Sequence, residues 1–208
     1  LRTIRSYLEL LQDDEVTAAN ISLYFDKIHR AAERMQVLIT DLLAFSRIGG
    51  EAAARTVNLD ELVRELVAAQ GDDVEALGAR VDVDRLPTVV TTIGQLDSLF
   101  SNLIGNALKY RHPDRRPVVS ISARRLGGEW HFRIADNGLG IEAQYQDRVF
   151  DVFKRLHAQD EIPGTGIGLA LCRRVVERGG GRIWVESDGQ SGSTFCLSLI
   201  HISEPTRL

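Results

Sequence analysis

The chain has 208 residues and a mass of 23.1 kDa, enough for one ordinary domain and a smaller element. Its net charge is −4, and its basic residues are scattered or sit in short pairs such as Arg115-Arg116 and Arg173-Arg174. That excludes the basic stripe of a nucleic-acid binder and gives no reason to expect an anionic membrane partner. No apolar run approaches the roughly 20 residues needed to span a bilayer, so this segment is expected to make no membrane contact.

Two cysteines, Cys172 and Cys196, stand outside any Cys-x-x-Cys spacing. A disulfide scaffold is therefore not expected, and a reducing, cytoplasmic setting fits best. There is no signal peptide. The chain begins without Met inside a helical pattern and reads as part of a longer protein, whose own membrane attachment stays open.

Residues 1 to about 48 read as helical. Ile21, Phe25, Ile28, Ala32, Met35, Ile39 and Leu42 recur at alternating spacings of 4 and 3, a heptad seam. Leu1, Ile4, Leu8 and Leu11 keep the same rhythm on a shorter helix, and Gln12-Asp13-Asp14-Glu15 interrupts it. An antiparallel helical hairpin follows. Two helices cannot bury such a seam alone, so a homodimer closing into a four-helix bundle is expected, the rival being packing on the rest of the chain. Gly49-Gly50 stops the long helix, and residues 51–55 form an Ala-rich linker.

Beyond Thr56 helices and strands mix. Asn58 or Asp60 caps a helix to about Ala69. Short strands are expected over 80–83 and 88–90, with Pro87 between them. Thr92 caps a strong helix over 93–110. Residues 118–124 and 130–135 form a hairpin across Gly127-Gly128. A helix over 167–178 ends at Gly179-Gly180-Gly181, and strands over 182–186 and 194–199 close the fold. Without strict strand–helix alternation this is α+β: one mixed sheet with helices on one face. Three segments result: a hairpin over 1–50, a domain over 56–200, and a tail, 201–208, read as disordered or non-native.

Three motifs carry chemistry. Asp136-Asn137-Gly138-Leu139-Gly140-Ile141 follows a strand. Its carboxylate suits an exocyclic amine, though an ordinary turn reads equally well. Gly164-Thr165-Gly166-Ile167-Gly168-Leu169 opens a helix, where backbone N–H groups and the helix dipole suit a phosphate. Its spacing is neither the dinucleotide nor the P-loop fingerprint, and a merely flexible loop is the alternative. On the 93–110 helix, Asn102, Asn106 and Lys109 share one face. Amide oxygens suit Mg²⁺ and the lysine suits phosphate charge, the alternative being a polar packing face.

The order of these motifs, with Phe150-x-x-Phe153 between the glycine turns and Gly192-Ser193-Thr194-Phe195 after them, resembles the N, G1, F, G2 and G3 boxes of the histidine kinase ATP-binding domain. That family shares its ATPase fold with DNA gyrase, Hsp90 and MutL. The resemblance covers residues 56–200. It implies ATP and Mg²⁺ as cofactors, with Asp136 on the adenine amine and Asn106 on the metal. Asn102 and Lys109 are implied at the phosphates as catalytic residues, and Tyr110 beside the base. Gly138, Gly140, Gly164, Gly166 and Gly168 are implied to shape the pocket. Ile141, Thr165, Leu169 and Thr194 complete the implied contacts. A lid over 154–163 contributes Arg155 to phosphate, while Phe150 and Phe153 are expected to pack.

Leu1 to Tyr7 is similar to the stretch following the family's phospho-accepting His-Asp box, and Asp41 to Arg47 to the end of its second helix. Residues 153–157 and 166–174 look most like bacteriophytochrome-type kinases. The resemblance therefore implies a sensor histidine kinase core that passes the γ-phosphoryl group to a histidine and on to a response regulator aspartate. The accepting histidine is implied just before Leu1 and so missing here. His29, His112, His131, His157 and His201 lack the acidic neighbour of the box and are read as structural. An ATP-driven clamp, a protein serine kinase and a nucleotide-free scaffold are the rivals. The helical hairpin argues against the first two, and the complete Asn, Asp and glycine set against the third.

Overall fold

The computed structural model describes residues 2–11, 17–47, 55–91, 95–156, 162 and 164–200. The chain divides into two compact units, residues 1–46 and 47–208. The first holds α1 (Arg2–Leu11) and α2 (Ala18–Arg47). Tyr7 of α1 lies against Tyr24 of α2, ring centroids 5.5 Å apart. The expected turn at residues 12–15, the Gly49-Gly50 stop and the linker up to residue 54 lie outside the described residues.

The seam of α2 is open to solvent in the single chain. Phe25 and Ile39 are each 59% exposed and Leu42 is 53% exposed. Ala31, off the seam, is the one buried residue among the described side chains of the two helices. The ion pairs Arg5–Glu9 and Asp26–Arg30 and the His29–Glu33 contact run along the exposed helix surface and add little, since solvent screens them.

The second unit contains β1 (Arg55–Asn58), α3 (Leu59–Ala69), α4 (Gly71–Ala76), β2 (Arg80–Val83), β3 (Thr88–Thr91) and α5 (Leu96–Lys109). It continues with β4 (Val118–Leu126), β5 (Glu129–Asp136), α6 (Gly168–Arg178), β6 (Ile183–Ser187) and β7 (Ser193–Ile200). Two short 3-10 turns, Ala143–Tyr145 and Arg148–Phe150, lie between β5 and α6. Five strands form a mixed sheet in the order β2-β4-β5-β7-β6, with only β2 and β4 parallel. The expected single sheet is corrected in one respect: β3 leaves it and pairs with β1 in a separate antiparallel ribbon. Arg55, assigned to the linker, is the first residue of β1. Four residues with one apolar side chain carry too little pattern to announce a strand, and a distant partner makes it one.

Asn58 caps α3, its Oδ1 accepting the Glu61 N–H at 3.4 Å, which satisfies an amide the first turn leaves unpaired. The expected Thr92 cap of α5 lies outside the described residues. The helix starts at Leu96, after Gln95 in the left-handed region at φ 62°.

Register lines up the core. Ile121 pairs with Ile134, Ile134 with Phe195, and Phe195 with Val185, so one row of apolar side chains faces α5 and α6. Phe100 of α5 meets Phe132 of β5 edge-to-face at 5.7 Å, both wholly buried. The intervening positions face away from the helices, and there Arg133 and Glu186 pair at 3.0 Å. Truncating Phe132 to Ala removes that contact and leaves a cavity that rigid neighbours cannot fill. The expected loss is about 3–5 kcal/mol, read as a lower urea midpoint for the chain.

Candidate functional site

The site begins where β5 stops. Asp136 is half-buried, and its Oδ1 accepts N–H bonds from Gly138 at 2.8 Å and Ser193 at 3.2 Å. Burial pushes its carboxyl above the usual carboxylate range, because removal from water penalises the charged form. The two N–H bonds oppose that shift. A carboxylate ionised against this cost is a strong, directed acceptor for a donor that enters the same space.

That space is a cleft, partly open to solvent, which Asp136 shares with Asn106 and Tyr110 at the end of α5. Gly140, Ile141, Leu169 and Arg155 from the expected set also line it. Five residues to which the sequence reading gave no nucleotide contact join them: Val149, Lys154, Leu156, Ser193 and Phe195.

The turn after Asp136 is pinned from both sides. Asn137 accepts the Val118 N–H at 2.8 Å and donates to the Arg116 carbonyl at 2.9 Å, locking the turn to the start of β4. The Leu139 N–H donates to the Tyr110 carbonyl at 3.0 Å. Gly138 lies so close that an added Cβ would overlap that carbonyl oxygen. A backbone atom cannot swing aside as a side chain does, so glycine is required for the turn to reach α5.

The second glycine run works mainly from behind the cleft. The Ile167 N–H donates to Thr165 Oγ1 at 3.3 Å, and the Phe153 N–H donates to the Gly166 carbonyl at 2.9 Å. A Cβ on Gly168 would collide with Asn102 Oδ1, so the start of α6 seats directly on α5. From this run only Leu169 reaches the cleft lining. Asn102 donates to the Ser98 carbonyl at 2.8 Å and lines a neighbouring groove rather than the cleft. Asp97, Ser101, Asn106 and Lys109 line the same groove, so Asn106 belongs to both spaces. The Lys109 amine stands 4.8 Å from the centre of the Tyr110 ring and close to Gly164.

Two expectations are corrected. Thr194 does not face the cleft. It alternates with Ser193 and Phe195 along β7 and pairs with Ala135 and Glu186, which puts its side chain on the sheet face away from the helices. Ser193 takes its place, with its N–H on Asp136. The two hydroxyl residues are adjacent in one motif, and the pairing of β7 with β5 turns Ser193 rather than Thr194 towards the helices. Phe153 does not pack: it is 62% exposed, with φ 64°, whereas Phe150 is buried edge-to-face against Phe195 at 6.3 Å. Of the expected lid, Lys154, Arg155 and Leu156 reach the cleft, and Arg155 donates to the Ile162 carbonyl. Residues 157–161 and 163 lie outside the described residues.

The raised carboxyl of Asp136 has a stability consequence. The folded state holds this proton more tightly than the unfolded chain does. The contribution is therefore fully present below the ordinary value of 3.8 and is lost as pH rises through the raised one. At neutral pH the ionised group is a burden, while Asn keeps the Oδ1 acceptor without the charge. Asp136→Asn is expected to raise the melting temperature of the nucleotide-free chain at pH 7, with the gain vanishing towards pH 3 in calorimetry.

Residues 91–202 match the family described as "Histidine kinase-, DNA gyrase B-, and HSP90-like ATPase", and residues 1–51 match "His Kinase A (phospho-acceptor) domain". Cyanobacterial phytochrome A of Nostoc is 40% identical over 206 residues, covering 96% of this chain and 26% of its own length. Phytochrome-like protein Cph1 of Synechocystis is 34% identical over 202 residues, 27% of its length. The chain thus spans about a quarter of these relatives. Among solved structures, full-length ShkA in complex with AMPPNP aligns with a TM-score of 0.73 at 24% identity, over 96% of this chain and 42% of that one. Histidine kinase ThkA in complex with response regulator TrrA aligns at 0.72 and 15% identity, over 96% and 57%. Both show the same fold. The chain belongs to the histidine kinase-, DNA gyrase B- and HSP90-like ATPase family, in the sensor histidine kinase arrangement of a phospho-acceptor-type helical region followed by the ATPase unit.

Proposed function

We propose that the cleft binds Mg-ATP and that the chain is the catalytic core of a sensor histidine kinase, transferring the γ-phosphoryl group to a histidine. The observation that carries this reading is the convergence of Asn106, Tyr110 and Asp136 on one cleft. Asp136 accepts the exocyclic amine of adenine, and Tyr110, Ile141 and Leu169 flank the base. Asn106, where the cleft meets the groove, marks the phosphate end, with Lys109, Lys154 and Arg155 supplying positive charge.

Among the described residues no cluster of three His, Cys, Asp or Glu is present that would cage a metal by itself. The Asn106 amide oxygen fits a hard cation that takes its other ligands from phosphate and water. When bound, Mg²⁺ supplies charge neutralisation at the phosphates. In the reaction an imidazole nitrogen attacks the γ-phosphorus, the bond to the β,γ-bridging oxygen breaks, ADP leaves and the imidazole proton is released. The side chains of this cleft do positioning and electrostatic work, which is what phosphoryl transfer asks of a protein. The open α2 seam supports a homodimer through the helical unit, and a response regulator aspartate is the next acceptor, in the cytoplasm.

None of the described histidines is proposed as the acceptor. His29 pairs with Glu33 at 3.1 Å. His112 Nδ1 accepts the Asp114 N–H at 3.2 Å. His131 lies edge-on to Trp184 at 6.1 Å, on the polar face of the sheet. His157 and His201 lie outside the described residues. The acceptor is proposed to lie just before Leu1, in the longer protein.

Titration calorimetry is expected to show Mg-dependent ATP binding, weakened about tenfold or more in Asp136→Asn and Asn106→Ala, since each removes a bond to a charged or metal-bound group. The chain incubated alone with γ-labelled ATP is expected to take up no acid-labile label; such label would overturn the histidine assignment. Sedimentation is expected to show a dimer that Phe25→Glu with Ile39→Glu turns into a monomer, and a monomeric parent chain would remove the seam's role.

A further inference from the structure

The strands and loops behind the cleft converge on one hydroxyl that the family motifs leave unassigned. Ser187 ends β6, beside the two loops that frame Asp136. Its Oγ accepts the Ile141 N–H at 2.9 Å and the Gly189 N–H at 3.2 Å, and donates to the Gly192 carbonyl at 2.6 Å. A serine hydroxyl has one donor and two acceptor sites, so this one is saturated. Gln146 reinforces it: its side-chain amide donates to the Ile141 carbonyl at 3.1 Å and the Ser187 carbonyl at 2.8 Å.

The two loops tied together both border the cleft. Ile141 lines its wall. The Gly192 peptide leads directly into Ser193, whose N–H holds Asp136 Oδ1. We propose that Ser187, braced by Gln146, is a positioning residue for base recognition, fixing the distance between the Ile141 wall and the Asp136 carboxylate. This rests on the reading of the cleft as an ATP site and adds how that site discriminates its base. A carboxylate acceptor favours a purine with an exocyclic amine at C6 and disfavours one with an oxo group there, because acceptor would face acceptor. That selectivity holds only while the carboxylate and the wall keep their spacing; once the wall drifts, the amine-bearing base loses most.

The test compares Mg-ATP with Mg-ITP, whose base carries the oxo group, on the 208-residue chain. In Ser187→Ala, ATP binding is expected to weaken about 5- to 10-fold and ITP binding less than about 2-fold, the size of one lost neutral hydrogen bond. Ser187→Thr, which keeps the hydroxyl, restores ATP binding to within about 2-fold of the parent. Gln146→Ala gives the same pattern in smaller measure, and stands in should Ser187→Ala not fold. Equal weakening of ATP and ITP, or an unchanged ATP affinity in a folded Ser187→Ala, overturns the proposal. Asp136→Asn runs alongside as the control. If it abolishes ATP binding while Ser187→Ala does nothing, only the positioning role fails. If it binds ATP like the parent chain, Asp136 is not the base acceptor and the positioning role fails with it; if the parent chain binds no Mg-ATP, the ATP reading itself fails.

Discussion

The second unit is organised around a carboxylate that water would solvate better than the protein does. Asp136 sits at the end of β5, half-buried, with its charge disfavoured by its surroundings and held by the Gly138 and Ser193 N–H groups. Those groups come from two loops far apart in sequence. The chain has to bring both to one oxygen, and much of the local architecture follows from that demand. Asn137 ties the turn to β4, the Tyr110 carbonyl takes the Leu139 N–H, and Ser187 bridges the turn to the loop before β7. A buried charge kept in this way is a poor source of stability and a good source of specificity, because it has a defined place and direction.

Helix α5 carries the other half of the site. Its buried face, with Phe100, Leu103, Ile104 and Ala107, holds it to the sheet and to α6. Its half-exposed edge presents Asn102, Asn106 and Lys109 in line. Of these only Asn106 is shared by the cleft and the groove beside it. Asn102 instead bonds back to Ser98 and receives the start of α6 at Gly168. One helix therefore serves as core element, cleft wall and seat for the second glycine run, because residues three and four apart stack on one side while the others face inward.

The helical unit obeys a different balance. Its seam repeats correctly for a bundle, yet Phe25, Ile39 and Leu42 stay exposed in the single chain. An apolar stripe of this length is costly to leave in water. The same periodicity that makes the helix leaves it incomplete on its own.

The elements built from local pattern were legible in the sequence. The 3.6-residue period of α5 and α6 and the glycine turn between β4 and β5 follow from residues close together in the chain, and so does a cap at Asn58 or Asp60, of which the structure uses Asn58. Asn106, Tyr110 and Asp136 were named together through the resemblance of the ordered motifs to the family's boxes, each motif being ambiguous alone, and they line one cleft. Strand β1 was not legible, because its partner residues in β3 are 30 to 36 positions away and its own four residues are mostly polar. Nor was the exposure of Phe153: the motif names an aromatic, but a left-handed φ and the hydrogen bond to the Gly166 carbonyl turn it outward. The exchange of Thr194 for Ser193 is the clearest case. Both are hydroxyl residues in one motif, and only the register of β7 against β5 decides which faces the helices. Residue type and spacing determined which chemistry this chain can offer. Tertiary structure decided which members of each motif share a cavity, because strand parity and loop anchoring are set by contacts between residues that the sequence keeps far apart.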